Sequence, residues 1–497
     1  MNRDIFVGVD VGTTGEKVVF LNSKGNILAS ESIEYSIKSP VEGFAEQDPS
    51  KWWEGLSRAT RKIIEGNPEF KSDITCLGIS GQMHTQVYLD ENGDILRNAI
   101  TWMDQRSKEI VEEINSSQAN RKTISDHTYN FLTTTYSAPN ILWVKRNQPE
   151  IYQDTKKILL AKDFLKYKLS GDFSTDFSDA VGTLLFDTKN KKWSPELFEL
   201  FGLKRSLMPH VGKSGEIVGE ITSEAEEKTG LPAGTPIING SADHAATSLG
   251  AGVTTQGEVT AIVGTAGVVS VLADEPVKDP DERVFCWNYC LEDKWVNLAP
   301  MQTAGKALDW FKRTFDSSRE NPFKEYNKNI KEVPDGSGGL IFLPYLMGER
   351  SPIWDPDARG VFFGISNNHG KYHFVKSIME GVSYAFRQNA EVIESLGVDI
   401  DQLKFLGGGS NSEEWIKIMA KVLGKKIRPV QGSDLGAIGT TILSGVSTGV
   451  FQDIPGAVNN LTKTGEFYEY EDGPEIYREN YEKFQDIYKQ LSGLFNS

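Results

Sequence analysis

The chain opens on short apolar runs broken by glycine turns. Ile5 to Val9 is apolar, Gly12-Thr13-Thr14-Gly15 is a turn, and Lys17 to Leu21 is apolar again. Ser23-Lys24-Gly25-Asn26 then turns into Ile27 to Ile33. This pattern predicts three short strands, the first two joined by the glycine loop. The layout returns at Glu258 to Val263, Gly264-Thr265-Ala266-Gly267 and Val268 to Leu272. The two Gly-Thr-x-Gly loops stand 252 positions apart, half the chain, which predicts two similarly folded halves.

Between and beyond the loops, helical and strand patterns alternate. Ser50 to Ile64 has helical spacing after the turn Asp48-Pro49, and Thr75 to Ser80 reads as a buried strand ending at Gly81. Phe164 to Leu169 and the acidic segment 223–228 read as helical. His373 to Leu396 places Phe374, Ile378, Val382, Ala385 and Phe386 at helical spacing before the stop at Gly397. Lys404 to Leu406 is a strand entering Gly407-Gly408-Gly409. A last helix, Glu475 to Leu494, carries Tyr477, Tyr481, Phe484 and Tyr488 on one face. Without long linkers the halves must touch, at a hinge rather than a tether. The expected domains are 1–246 and 247–497, with the C-terminal helix a candidate to pack back across the boundary.

Length supports this division, because 497 residues suit two to three domains. A hydrophobic content of 39% and ten Trp give ample core material. The net charge of −16 has the wrong sign for holding nucleic acid or an anionic membrane. Phosphates must then be met by local devices: backbone N–H groups, a bound cation or a few placed basic residues. Cys76, Cys286 and Cys290 cannot form a disulfide framework, and Cys286 and Cys290 lack a second pair at zinc spacing. No signal-peptide core is present and no apolar run nears the ~18 residues of a membrane span. A soluble, cytoplasmic protein is expected.

The first glycine loop joins strand to strand and lacks Gly-Lys-Ser/Thr, so it is not a Walker loop. Asp10, just before it, is either a turn-former or a carboxylate holding Mg²⁺ beside phosphates. Gly12 and Gly15 allow close approach, Thr13 and Thr14 offer donors, and Lys17 can offset phosphate charge. Asp243 follows the strand Thr235 to Ile238 and precedes a helix. It is either an N-cap or a general base that takes the proton of an alcohol during phosphoryl transfer. Gln82-Met83-His84 stand at the carboxyl end of a strand, where open α/β sheets bind ligands. With Trp102, Asp104 and Arg106 they form either an aromatic-walled sugar pocket or a surface turn. Gly407-Gly408-Gly409-Ser410 and Gly432-Ser433-Asp434-Leu435-Gly436-Ala437 either admit a flat ring or ribose or make plain turns.

Together these residues resemble the FGGY carbohydrate kinases, members of the actin/Hsp70/hexokinase ATPase superfamily. The most specific element is Gly-Val-Phe-Phe-Gly-Ile from Gly360, seven residues, then His373-Phe374 and Ser377-Ile378-Met379-Glu380. The segment around Tyr136-Ser137-Ala138-Pro139 fits less well, because Asn140 stands where a lysine is usual. The resemblance implies two actin-like (ribonuclease H-like) α/β domains around a central cleft that binds ATP and sugar. It also implies Asp243 as base, with Met83, His84, Gln82, Trp102, Asp104 and His244 on the sugar. Asp10 would serve the metal–phosphate site, with Gly12, Thr13, Thr14 and Lys17. Gly264 and Thr265 would form the second phosphate loop, with Gly305, Gly407 and Gly408 by the nucleotide.

Within the family the chain looks most like kinases that convert D-xylulose to D-xylulose 5-phosphate. Glu46-Gln47-Asp48-Pro49, Ser178-Asp179-Ala180-Val181-Gly182-Thr183 and Gly348-Glu349-Arg350 carry that likeness. Departures fall at the sugar end: Thr85 replaces a usual glycine and His244 a usual asparagine, while Ala266 replaces a serine in the second loop. Met83-His84-Thr85 and Thr101-Trp102-Met103-Asp104 lean toward gluconate kinases, the alternative, alongside other ketose or polyol kinases. An actin- or Hsp70-like ATP-dependent binding protein is the alternative of another class. The implied cofactors are ATP and Mg²⁺, and the resemblance admits a homodimer.

Overall fold

A computed structural model of the chain describes residues 4–317, 319, 321–432, 434–469 and 474–495. Ser433, in the second glycine-rich turn, lies outside them. The opening apolar runs form β1 (Ile5–Val11), β2 (Gly15–Asn22) and β3 (Ile27–Glu34), an antiparallel meander. Helix α1 (Pro49–Gly66) follows, its first turn capped by Asp48, whose carboxylate accepts from the Ser50 N–H at 3.1 Å. Trp52, Leu56, Ala59 and Ile63 form its buried stripe. The chain then enters β4 (Ile74–Gly81), parallel to β1, and later β5 (Ile217–Glu220) and β6 (Pro236–Ile238). The first sheet has the order β5-β6-β4-β1-β2-β3, with Ser241–Ala242 also paired to β4.

The second half repeats the plan. After helix α2 (Asp243–Gly250) come β7 (Val259–Val263), β8 (Gly267–Ala273), β9 (Phe285–Asn288) and β10 (Trp295–Met301). The long helix α3 (Lys371–Ser395) precedes β11 (Gln402–Leu406) and β12 (Lys426–Gln431). The sheet order is β9-β10-β8-β7-β11-β12, closed by Lys463–Thr464. A three-stranded meander followed by two parallel strands therefore recurs: β3-β2-β1-β4-β6 in one sheet, β10-β8-β7-β11-β12 in the other. This is the actin-like architecture, with two mixed α/β sheets.

The halves interlock through helices. Helix α4 (Leu435–Ser447) comes from the second half but packs on β1 and β4 of the first sheet and along α2. Glycine makes that crossing possible. A side chain at Gly250 would place its first carbon 2.0 Å from the Leu435 carbonyl, and one at Gly439 would stand 1.9 Å from that of Ala246. One buried cluster accordingly runs from Tyr136 and Ile238 in the first half to Trp287 and Ile442 in the second. Helix α5 (Glu475–Phe495) behaves otherwise than the sequence suggested. Its buried face of Tyr477, Tyr481 and Phe484 docks against Tyr345 and Tyr384, within the second half. Bulky rings fit that aromatic bed. The glycine- and threonine-rich α4 fits the flat first sheet instead. Among the described residues, no helix is long and apolar enough to cross a membrane.

Candidate active site

A cavity of about 390 Å³ lies between the two glycine loops. Asp10, Met83, His84, Trp102, Asp243 and His244 line it from the first half, and Ile262, Phe285, Trp287, Arg350 and Trp354 from the second. A larger hollow of about 620 Å³ lies behind the first loop, walled by Tyr35, Gln47, Trp52 and Arg58, and contains none of the predicted site residues.

Asp10 ends β1, and its Oδ1 accepts a 2.8 Å hydrogen bond from Ser80 Oγ at the end of β4. Burial raises its pKa and the Asp434 charge adds to this, while Ser80 and Lys17 pull the other way. Lys17 is itself ion-paired to Asp434, beside the start of α4. The loop after Asp10 is tightly held. The Gly12 N–H donates to the Gly15 carbonyl at 2.9 Å, and the Gly12 carbonyl accepts from the Tyr35 hydroxyl at 2.6 Å. Gln47 donates to the Thr13 carbonyl, and Trp102 Nε1 donates to Thr13 Oγ1 at 3.0 Å. The Thr14 carbonyl accepts from the Tyr35 N–H at 3.1 Å.

Asp243 opens α2 and is half-buried, its Oδ1 accepting from the His244 N–H at 2.7 Å. Burial lifts its carboxyl to about 7, with the Asp10 charge reinforcing the rise. No cation pairs with it among the described residues. The strand before it is pinned, because the Ala242 N–H donates to Ser178 Oγ at 2.9 Å. Ser178 in turn leans on Asp176, part of a wholly buried network with Lys162 and Asp179. A rigid support therefore carries a carboxylate whose pKa suits proton acceptance near neutrality.

On the sugar side the predicted residues divide. His84 adopts a left-handed backbone (φ 66°), and its Nδ1 lies 2.7 Å from the Gly182 carbonyl. Burial lowers both His84 and His244 to about 4, so both rings are neutral. His84 packs edge-on to Tyr136 and Trp287, and His244 Nε2 is buried without a hydrogen-bond partner. Gln82, Asp104 and Thr85 do not line the cavity. Gln82 donates to Gln47 at 2.8 Å, behind the first loop. Both oxygens of Asp104 are engaged by Arg106, and Oδ2 also takes the Ala45 N–H. Thr85 is fully buried, its N–H turned onto the Met83 carbonyl.

On the side expected to take the nucleotide, three glycine positions converge on the tip of β7. The Gly305 N–H donates to the Gly264 carbonyl at 2.8 Å, while Thr265 accepts from Ala304 and Lys306. A first side-chain carbon would stand 2.6 Å from the Gly264 carbonyl at Gly305, and 2.5 Å from that of Val263 at Gly407. Gly407 also has φ 82°, and Gly408 follows it. This bare-backbone cradle has the chemistry that phosphates and a ribose need. Among the described residues no group of three or more His, Cys, Asp or Glu is placed to hold a metal ion. A cation beside Asp10 would take one carboxylate and otherwise water and phosphate oxygens, which is how Mg²⁺ is commonly held.

The family model for the N-terminal domain of the FGGY family of carbohydrate kinases matches residues 5–250, and that for the C-terminal domain matches 259–448. The chain belongs to the FGGY family of carbohydrate kinases. It is 30% identical to a xylulose kinase of Escherichia coli (strain K12), over 99% of this chain and all of that protein. It is 28% identical to a gluconokinase of Bacillus subtilis (strain 168), over 95% of this chain and 93% of that one. A solved structure of a "xyloylose kinase" from Brucella ovis superposes with a TM-score of 0.91 at 28% identity, covering 99% of this chain and all of that one. The protein is thus a sugar kinase.

Sequence reasoning missed half the wall of this FGGY cavity. Phe285, Trp287 and Trp354 supply its aromatic face, and Trp354 does so from a left-handed backbone (φ 47°), anchored by its Nε1 to the Arg283 carbonyl at 3.1 Å. None of these residues sits in a glycine turn or at a predicted strand end. For Trp354 the left-handed backbone is a structural signal that sequence does not carry, whereas Phe285 and Trp287 sit on the ordinary strand β9.

Proposed function

We propose that this FGGY kinase transfers the γ-phosphoryl group of ATP to a hydroxyl of D-xylulose, giving D-xylulose 5-phosphate, with Asp243 as general base. One observation carries the base assignment: Asp243 lines the cavity with a raised pKa and, among the described residues, no paired cation. Its carboxylate accepts the hydroxyl proton as the sugar oxygen attacks phosphorus. Met83 and the neutral rings of His84 and His244 orient the sugar, and the aromatic wall keeps water out. Asp10 and the first loop hold the phosphate end; a Mg²⁺ ion there would supply charge neutralisation. Gly264, Thr265, Gly305, Gly407 and Gly408 cradle the nucleotide. Domains 1–246 and 247–497 close about the crossing of α2 and α4, bringing donor and acceptor together.

A coupled ADP-release assay across ketoses, polyols and aldonates tests this. D-xylulose is expected to give the highest kcat/KM. Faster turnover of D-gluconate would transfer the assignment to an aldonate, and ADP release indifferent to sugar would remove the sugar site altogether.

A further inference from the structure

Arg350 has no role in the mechanism so far. It follows Glu349 on a turn whose backbone is fixed to β10, with the Ser351 N–H on the Pro300 carbonyl at 3.0 Å. A guanidinium has five N–H donors. Among the described residues one hydrogen bond reaches this one, from Nη2 to the Met301 carbonyl at 3.4 Å. Nε is buried with no partner. The neighbouring carboxylate attracts it through space but takes none of its donors: Glu349 Oε1 accepts from the backbone N–H groups of Gln302 and Arg350 instead. A mostly buried cation with open donors is expensive unless something else completes it.

Its position says what that is. Met301, which anchors it, pairs in register with Gly267, the glycine that closes the second loop. Across the same cavity stand Asp10 and Asp243. Arg350 is the one Lys or Arg among the residues lining the cavity, and Lys17 is already paired to Asp434. Arg350 therefore lines the same cavity as the proposed base, hydrogen-bonded to the strand that pairs with the end of the second loop.

We propose that Arg350 is a further catalytic residue, whose free guanidinium donors bind the phosphoryl oxygens during transfer. The bond from the γ-phosphorus to its bridging oxygen breaks, leaving that electron pair on ADP. The sugar hydroxyl oxygen forms the new bond to phosphorus, and its proton goes to Asp243. Negative charge shifts among the phosphoryl oxygens as this happens, and a planar cation aimed at them stabilises the transition state more than the ground state. The inference rests on the family's phosphoryl transfer, not on the choice of sugar.

The test pairs kinetics with binding, using whichever of D-xylulose and D-gluconate the sugar panel favours. Arg350→Gln should lower kcat roughly 10²–10³-fold while KM for ATP and sugar stays within a few-fold. By calorimetry with Mg²⁺ and sugar, it should weaken ADP–aluminium fluoride, a mimic of the transferring group, by about 100-fold, with ADP alone within about twofold. Arg350→Lys keeps the charge and loses the fork, and guards against a misfolded Gln variant. It should lose about tenfold in kcat with an unchanged melting temperature. An unchanged kcat overturns the proposal, as does equal weakening of ADP and ADP–aluminium fluoride. A KM rise confined to D-gluconate, with kcat intact, also overturns it, because Arg350 would then be a receptor for a sugar carboxylate.

Discussion

Each half of the molecule turns its first hairpin through Gly-Thr-x-Gly, but the flanking residues differ in kind. Two positions before the first loop stands Asp10; two before the second stands Ile262, and both line the cavity. Five positions after the first glycine, Lys17 answers Asp434, where the second hairpin has Val269. The last strand of each plan leads into one of the crossing helices, again with an aspartate at its start. Asp434 at α4 has Lys17, whereas Asp243 at α2 has no paired cation among the described residues. A duplicated frame therefore carries undivided chemistry. The first half holds both cavity carboxylates; the second offers bare backbone, most of the aromatic wall and Arg350. The same carboxylate in the same frame is an ion-pair partner in one place and the proposed proton acceptor in the other, and its neighbours make the difference.

The largest expected effect breaks the pseudo-symmetry directly. Asp243→Asn should lower sugar-dependent kcat by roughly 10²–10⁴ and leave nucleotide affinity intact. Asp434→Asn, which removes an ion-pair partner rather than a base, should stay within about tenfold of the parent. Equal losses in the two variants would mean that the contrast between the aspartates is not catalytic. Near-normal turnover of the first would remove Asp243 from the mechanism.

Acidity sharpens the contrast. Asp243 must be ionised to accept a proton, so kcat/KM should fall as pH drops through about 7, tenfold per unit below it. His84 and His244 titrate near 4, so they stay neutral across that limb. Stability runs the opposite way. The folded carboxyl holds its proton up to about 7 while the unfolded one releases it near the usual 3.8. Between those values the native state binds more protons, and stability falls as pH rises. Asp243→Asn should therefore gain stability at pH 8 relative to pH 4, on the order of 4 kcal/mol at most. Denaturant melts at both pH values check this, and a pH-independent difference would deny the raised pKa.

The frame was legible in the sequence, and half the site was not. Glycine turns between apolar runs disclose hairpins because turn and strand obey local rules, and Gly12–Gly15 and Gly264–Gly267 were found that way. Asp10 stood out because it closes an apolar strand run, and Asp243 because it stands between a strand and a helix. Trp287 and Trp354 were hidden, and Arg350 showed only as part of Gly348-Glu349-Arg350, since their place depends on where the second half folds back over the first. Asp104 misled for the converse reason: a polar residue near a ligand motif is indistinguishable in sequence from one sealed by Arg106. The α2–α4 crossing was equally invisible, because Gly439 reads as a weak helix residue until Ala246 is seen against it.

That crossing supplies a prediction of intermediate size. Gly439→Val would press a branched side chain onto the Ala246 carbonyl, and overpacking of this kind costs roughly 1–3 kcal/mol. Equilibrium denaturation should report a loss in that range. Sugar-dependent kcat should fall as well, since α2 carries Asp243 on its first turn. A destabilised variant with unaltered kcat would separate the helix crossing from closure of the site.

The smallest effects concern the sugar end, where two residues depart from the usual xylulose kinase pattern. From sequence, Thr85 and His244 both take volume from the sugar. The structure separates them, because His244 lines the cavity with Nε2 unpartnered, and Thr85 lies outside it, fully buried. His244→Asn should therefore shift the ratio of kcat/KM for D-xylulose over D-gluconate by roughly tenfold, the scale of a volume change in a pocket. Thr85→Gly should leave that ratio within about twofold, while losing some stability through the emptied space. Measuring both ratios in one panel decides the matter. If Thr85→Gly moves specificity as much as His244→Asn does, the segment after β4 reaches the sugar, and the assignment of sugar contacts to the cavity wall alone fails.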